Sequence, residues 1–199
     1  NTDILIGTQM ISRGFDFDNV GLVGVLNADN LFNFPEFRAS ERAWQMLTQV
    51  SGRAGRRDTQ GRVIIQTHNP EHPVIQTLLS GDFSQFVSDE LQERETFRYP
   101  PFNRLIDITI RHSDKFVLQR SARAYAINIR SQLGRRVLGP EVPGINRIKG
   151  LFIEKILIKT EHRNELKWVK EVLLAELNTG RTAKEIPHAV RFSFDVDPH

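Results

Sequence analysis

The sequence contains no cysteine, so it can form no disulfide framework, no thiolate nucleophile and no cysteine-based zinc site. Its six histidines are scattered, and only His68 and His72 lie close together in the sequence, with no cysteine pair to complete a zinc site. No run approaches the roughly 18 to 20 apolar residues that a bilayer-spanning helix needs, and residues 1–3 lack the basic-then-apolar order of a signal peptide. These absences predict a cytoplasmic protein without a membrane segment.

The net charge of +3 is unevenly distributed along the chain. Residues 1–103 carry 9 Lys and Arg against 13 Asp and Glu, whereas residues 104–199 carry 18 against 11. A basic second half is compatible with a polyanionic partner, but such an excess is also common on an ordinary solvated surface. Charge by itself leaves both interpretations open.

Three short apolar runs in the first half have the pattern of strands buried on both faces of a parallel sheet. They occupy residues 4–6, 21–26 and 62–66, and a helical stretch lies at about residues 35–50. This order predicts an α/β fold, part of a doubly wound domain. Because the first run follows only three residues and no initiator Met, we expect the chain to be a fragment of a longer protein.

The second half has a different pattern. The Tyr-Pro-Pro-Phe segment at 99–102 stops any helix and marks a domain border. Strand and helix patterns then alternate, at residues 105–112, 118–133, 152–160, 166–177 and 190–196. Helices on one face of such a half-buried sheet form an α+β sandwich. We therefore predict three parts: an α/β domain at 1–75, a helical connector at 76–103 and an α+β domain at 104–199.

Residues 49–56, with the sequence QVSGRAGR, contain two arginines beside glycines. Glycine permits close backbone approach, and the guanidinium groups of Arg53 and Arg56 can converge on one polyphosphate. An arginine aimed at a γ-phosphate neutralises the charge that develops during phosphoryl transfer. Taken alone, the segment could also be a Gly/Arg-rich surface turn.

A second polar segment, residues 7–17, follows the first apolar run. The Thr8 hydroxyl and nearby backbone N–H groups could hold a nucleic-acid phosphate, and Asp16 could accept a hydrogen bond from a sugar hydroxyl or an arginine. Taken alone, Thr8 could instead form a turn and Asp16 a helix cap. The order and spacing of the two segments together indicate a particular class of protein more specifically than either segment does alone.

Together these segments resemble motifs V and VI in the second RecA-like lobe of superfamily 2 helicases. A closer resemblance is to the PriA family of primosomal replication-restart DNA helicases. It rests on the same two segments and on residues 27–29, 37–42, 66–70, 99–102 and 195–198. Superfamily 2 helicases in general share only motifs V and VI, so the Tyr-Pro-Pro-Phe border and the Asp-Val-Asp-Pro ending select this family.

The resemblance implies an ATP-dependent 3′ to 5′ DNA helicase that recognises stalled replication forks and restarts replication by primosome assembly. It implies catalytic roles at the nucleotide phosphates for Arg53, Arg56 and Gln49. It implies nucleotide binding or coupling of ATP to DNA for Gly14, Asp16 and Gly52, and a DNA backbone contact for Thr8.

The resemblance also implies ATP and Mg²⁺ as cofactors of the complete helicase, and zinc bound by cysteines. This chain has no GxxxxGK[ST] loop and no cysteine, and its single Asp-Glu pair, at residues 89–90, lies in a helical pattern rather than after a buried strand, where Mg²⁺ would need it. We expect those groups to lie upstream, and we expect the fragment alone not to hydrolyse ATP.

The resemblance likens the second half to ribosomal protein S10 and implies that it binds forked and single-stranded DNA, mainly through phosphates. The Gly- and Pro-rich residues 138–144 predict a loop inside this domain, and the basic residues that flank it are the candidate contacts: Arg135, Arg136, Arg147 and Lys149. Ordinary solvated loop charge is the alternative.

Members of the family also bind the acidic C-terminal tail of single-stranded DNA-binding protein, primosome proteins and the replicative helicase loader. Arg163 and Lys167 lie one helical turn apart at the start of a predicted helix, a suitable receptor for a carboxylate. Two other functions remain possible at this stage: a piece of an RNA helicase of superfamily 2, and a non-catalytic nucleic-acid-binding module.

Overall fold

The computed structural model describes residues 3–8, 20–34, 36–52, 61–161 and 165–198. The chain divides into two compact units, Asn1–Glu93 and Arg94–His199. Both units combine helices with strands, so the α/β class expected from the sequence is confirmed. Among the described helices, none is both long and apolar enough to cross a bilayer.

The first unit contains a parallel pair of strands, β1 (Leu22–Val25) and β2 (Arg62–Ile65). The described helices of this unit are α1 (Asp29–Phe32), α2 (Ala39–Ser51), α3 (Pro73–Ser80) and most of α4 (Phe83–Thr96). Parallel strands need a crossover connection, and α2 lies in the chain between them. Most of the stretch predicted as a connector belongs to this unit.

A small apolar cluster forms the core of the first unit. Ala43, Trp44 and Leu47 share one face of α2 because residues three and four apart are neighbours on a helix. They pack with Val74, Ile75 and Phe86. The rings of Trp44 and Phe86 stack with centroids 4.5 Å apart, so Trp44 is a core residue, as its position in the helical pattern predicts.

The apolar runs of the first unit are less buried than the sequence predicts. Val25 and Ile65 pack against the helices, whereas Leu22 and Ile64, on the other face of the strands, are 58% and 57% exposed. Residues 4–6 lie outside any strand and are exposed. The prediction of strands covered on both faces is therefore wrong for the described residues, because the helical cluster packs on one face only.

The second unit is an antiparallel sheet carrying two long helices. Its strands are β3 (Arg104–His112), β4 (Val137–Glu141), β5 (Arg147–Ile148), β6 (Leu151–Thr160) and β7 (Arg191–Val196). Their order is β4-β6-β3-β7, and β5 pairs with β6. Helices α5 (Lys115–Leu133) and α6 (Glu165–Thr182) pack with this sheet in one core.

Apolar residues at every second position of β3 contribute to the core of the second unit. Ile106, Ile108 and Ile110 are all buried, and they meet buried residues of α5 and α6. The Tyr125 hydroxyl donates a 2.8 Å hydrogen bond to the carbonyl oxygen of Leu173, which joins the two helices. Burial of this phenol raises its pKa, so the hydroxyl remains a neutral donor.

Strand β4 occupies residues for which the sequence predicts a loop. The strand is irregular, with a shift of register between Leu138 and Glu141. Gly139 has a φ of +93°, and a Cβ atom there would lie 2.8 Å from the carbonyl oxygen of Lys155. Only glycine suits this close approach of β4 to β6.

Candidate nucleic-acid interface

Two adjoining cavities, of about 250 and 200 Å³, lie at the end of β6 in the second unit. Both are lined by Arg98, Arg135, Arg136 and Glu161, and Lys159 lines the smaller one. We call these five residues the basic pocket. The structure thus brings two of the predicted DNA contacts together with two cations that were not predicted.

Strand pairing builds the basic pocket from distant parts of the chain. Helix α5 ends at Leu133, and a 3₁₀ turn at Gly134–Arg136 leads into β4. Because β4 pairs Val137 with Ile158, the arginines just before β4 lie beside the last residues of β6. Arg98 comes from the turn after α4, where it has a positive φ of 56°.

The acids of the basic pocket do not balance its cations. Arg98 pairs with Glu161 at 3.4 Å, and Arg136 pairs with Glu165, outside the pocket, at 3.3 Å. Arg135 makes no hydrogen bond or ion pair with the described residues. The exposed pair of Arg98 with Glu161 contributes about 0–1 kcal/mol. A phosphate could therefore take the place of Glu161 at little cost.

Lys159 is a partly buried cation of the basic pocket. Its ammonium lies 3.5 Å from the centroid of the Tyr99 ring and donates a 2.7 Å hydrogen bond to the carbonyl oxygen of Phe97. Burial and then the positive charge of Arg98 lower its pKa. A bound anion would offset the repulsion between these two cations.

Arg147 and Lys149 lie at the opposite end of β6. The Arg147 guanidinium stands 4.8 Å from the centroid of the Phe152 ring, and Lys149 has a positive φ of 49° in the turn before β6. Lys159 is seven positions after Phe152, a strand length of about 23 Å. The four predicted contacts flank one loop in the sequence, but the structure divides them between two places.

A pair of arginines that the sequence analysis missed lies on the sheet face opposite the helices. Arg111 and Arg191 are directly opposed on β3 and β7, and Thr109 faces Ser193 on the next rung of this face. Directly opposed like charges destabilise a sheet, and a phosphate would relieve the repulsion. The available signal was the polar half of the alternation in β3, which placed Arg111 on the face away from the core.

The structure places the candidate nucleotide contacts only in part. Gln49 is exposed in the last turn of α2, and Gly52 follows the helix and donates its backbone N–H to the carbonyl oxygen of Thr48. Thr8 is exposed. The other four candidates lie outside the described residues: Gly14, Asp16, Arg53 and Arg56. The nucleotide site remains a prediction.

The candidate receptor for an acidic tail is likewise described in part. Lys167 is exposed near the start of α6, whereas Arg163 lies outside the described residues. Neighbouring Glu165 pairs with Arg136. A search of the part of the chain that the structure describes finds no group of three or more His, Cys, Asp or Glu side chains that could hold a metal ion.

Residues 27–29 and 66–70, two of the segments on which the family resemblance rests, contact each other in the first unit. The Asp29 carboxylate accepts hydrogen bonds from the Thr67 hydroxyl at 2.9 Å and from the backbone N–H of His68 at 3.0 Å. The bond from His68 is the main cause that lowers the pKa of Asp29. This contact fastens the chain after β1 to the chain after β2.

Comparison with known proteins identifies the family. A family model described as "Primosomal protein N C-terminal domain" matches residues 95–199, more than half of the chain. Replication restart protein PriA of Synechocystis sp. is 38% identical over 198 residues, which is 98% of this chain and 23% of that protein. The Bacillus subtilis protein of the same name is 37% identical over 199 residues, which is 99% of this chain and 24% of that protein.

A third relative of the same name, from Treponema pallidum, is 37% identical over 198 residues, which is 98% of this chain and 29% of that protein. The chain therefore spans about a quarter of the length of the curated relatives it matches. The similarity covers nearly all of the chain, as the distribution of its motifs predicts. The matched residues include the whole antiparallel sheet of the second unit. Because this match covers more than half of the chain, the chain belongs to the primosomal protein N C-terminal domain family.

Proposed function

We propose that this chain is the C-terminal part of a DNA helicase that restarts replication at stalled forks, and that its second unit binds the DNA. The observation that carries this proposal is the basic pocket, in which Arg98, Arg135 and Arg136 converge with Lys159. Arginine presents a planar fork of donors that matches phosphate oxygens. Contacts of this kind position a protein on DNA without reading its sequence.

Cations at both ends of β6 support an extended nucleic acid rather than a small anion as the ligand. The basic pocket and the pair Arg147 and Lys149 lie about 23 Å apart along β6. We propose forked and single-stranded DNA as the ligands, held on an α+β domain similar to ribosomal protein S10.

Fluorescence anisotropy of the 199-residue chain tests this proposal, with a labelled three-way fork, a matched duplex and single-stranded RNA at low and moderate salt. We expect the fork to bind most tightly, with an affinity that falls steeply as salt rises, because released counterions drive phosphate binding. Equal binding of all three would mean general polyanion attraction and would contradict fork recognition here. Preference for the RNA would favour an RNA helicase.

The first unit contributes to ATP hydrolysis in this proposal, as part of the second RecA-like lobe. Arg53 and Arg56 would contact the nucleotide phosphates beside Gln49, whose exposed position at the end of α2 supports this role. ATP and Mg²⁺ would be held mainly by an upstream lobe, and zinc by cysteines outside this chain. Gly14, Asp16 and Gly52 would link nucleotide binding to DNA.

The substitution Arg56→Ala in the full-length protein tests this ATPase role. We expect DNA-stimulated ATP hydrolysis to fall sharply, because an arginine at the γ-phosphate stabilises the charge of the transition state. Binding of forked DNA should be retained, which serves as the folding control. An undiminished rate of hydrolysis would contradict the assignment.

We also propose that the start of α6 binds the acidic tail of single-stranded DNA-binding protein, in a cytoplasmic, nucleoid-associated primosome that includes the helicase loader. Lys167 is exposed there, and the positive end of a helix favours a carboxylate. We expect Lys167→Glu to weaken binding of a peptide with that tail, and Lys170→Glu, one turn further along α6, to have little effect. Equal loss in both variants would mean non-specific attraction. If reversing the charge at Arg163 left binding of the tail intact, that result would also contradict this site.

A further inference from the structure

The turn between β4 and β6 exposes an unusual combination of side chains. In residues 142–150, which we call the hairpin tip, Val142 is 54% exposed, Ile145 70% and Ile148 47%. The same segment contains Arg147 and Lys149 and no acidic residue. Neighbouring apolar side chains that remain in water next to two cations indicate a surface used for binding.

The hairpin tip is held by the sheet. Strand β5 pairs Arg147 with Phe152 and Ile148 with Leu151. The backbone N–H of Ile153 donates a 2.9 Å hydrogen bond to the carbonyl oxygen of Asn146. Lys149 and Gly150, both with positive φ, form the turn into β6. The exposed isoleucines therefore project from an ordered part of the fold.

The chemistry of the hairpin tip fits a partner that is anionic outside and apolar within. DNA bases at the end of a duplex have these properties, because phosphates flank a stack of aromatic faces. Proteins that kink DNA insert Ile, Leu, Phe or Pro side chains between base steps in this way.

We infer that the hairpin tip is a wedge that enters the base stack at the branch point of a fork, with Ile145 between the bases and Arg147 and Lys149 on the flanking phosphates. This inference rests on the proposed function, because it requires the second unit to bind DNA. It adds a means of recognising a junction. A continuous duplex would have to be unstacked to admit Ile145, whereas bases at a junction are already poorly stacked.

A fork with 2-aminopurine at the branch point tests the wedge, because the fluorescence of this base rises when it is unstacked. The 199-residue chain at saturating concentration is expected to raise the fluorescence about twofold or more. The same probe inside a matched duplex should change little. The variant Ile145→Ser should saturate the fork, as followed by anisotropy, without the rise, whereas the control Leu174→Ser, altered at an exposed position of α6, should retain it.

A saturated fork with no rise in the wild type, or with the full rise in Ile145→Ser, would overturn the wedge and leave DNA binding by the basic pocket intact. Failure of the wild-type chain to bind the fork would instead overturn the proposed function and the wedge with it. Binding of the wild type to anionic lipid vesicles that is lost in Ile145→Ser, without any rise on the fork, would assign the hairpin tip to a membrane surface.

Discussion

Replacing Arg98 and Arg135 together by glutamate is expected to weaken binding of the 199-residue chain to forked DNA by about 100-fold at moderate salt. A hydrogen bond to a charged group contributes about 1.5–3 kcal/mol, and each 1.4 kcal/mol corresponds to about tenfold in affinity. Both side chains line the basic pocket. Arg98 is 67% exposed, in a weak pair with Glu161, so the fold should tolerate the change.

The salt dependence of this variant separates a local site from net charge. Each lost phosphate contact should reduce the slope of log affinity against log salt by about 1. The matched control is Arg120→Glu with Lys170→Glu, which makes the same change of net charge at exposed positions of α5 and α6. We expect the control to bind within about threefold of the wild type. Equal weakening in both variants would contradict a binding site at the basic pocket.

Replacing Leu173 by alanine is expected to lower the free energy of unfolding of the second unit by about 2–5 kcal/mol, because a buried leucine loses both its transfer energy and its packing. Leu173 is 1% exposed in the core between α6 and the sheet, whereas the next residue, Leu174, is 54% exposed. Leu174→Ala should therefore change the unfolding free energy by less than about 0.5 kcal/mol.

Hydrogen–deuterium exchange measured by mass spectrometry can show which of the two units loses stability in Leu173→Ala. In Leu173→Ala, peptides from β3 should lose protection, whereas peptides from α2 in the first unit should exchange as in the wild type. Leu174→Ala should match the wild type throughout. Similar loss of protection in both leucine variants would show that the packing assigned to α6 is incorrect.

Local periodicity accounts for what could be predicted about the elements. The isoleucines of β3 repeat at every second position, and the apolar residues of α2 recur at helical spacing, so their buried faces follow from a few neighbouring residues. Strand β4 was missed because its short stretch contains glycine and proline, which usually indicate a loop. Trp168 is 43% exposed on α6, because it lies outside the stripe that faces the core.

The sequence by itself determined the α/β class and the alternating strand and helix patterns of the second half. The spacing of its motifs determined the family. These properties depend on short-range patterns and residue identity. Only the tertiary structure decided that Arg98 and Lys159 join Arg135 and Arg136, and that Arg111 faces Arg191. It also decided that Arg147 and Lys149 lie at the far end of β6. These arrangements depend on the pairing and register of strands distant in the chain, which local pattern does not specify.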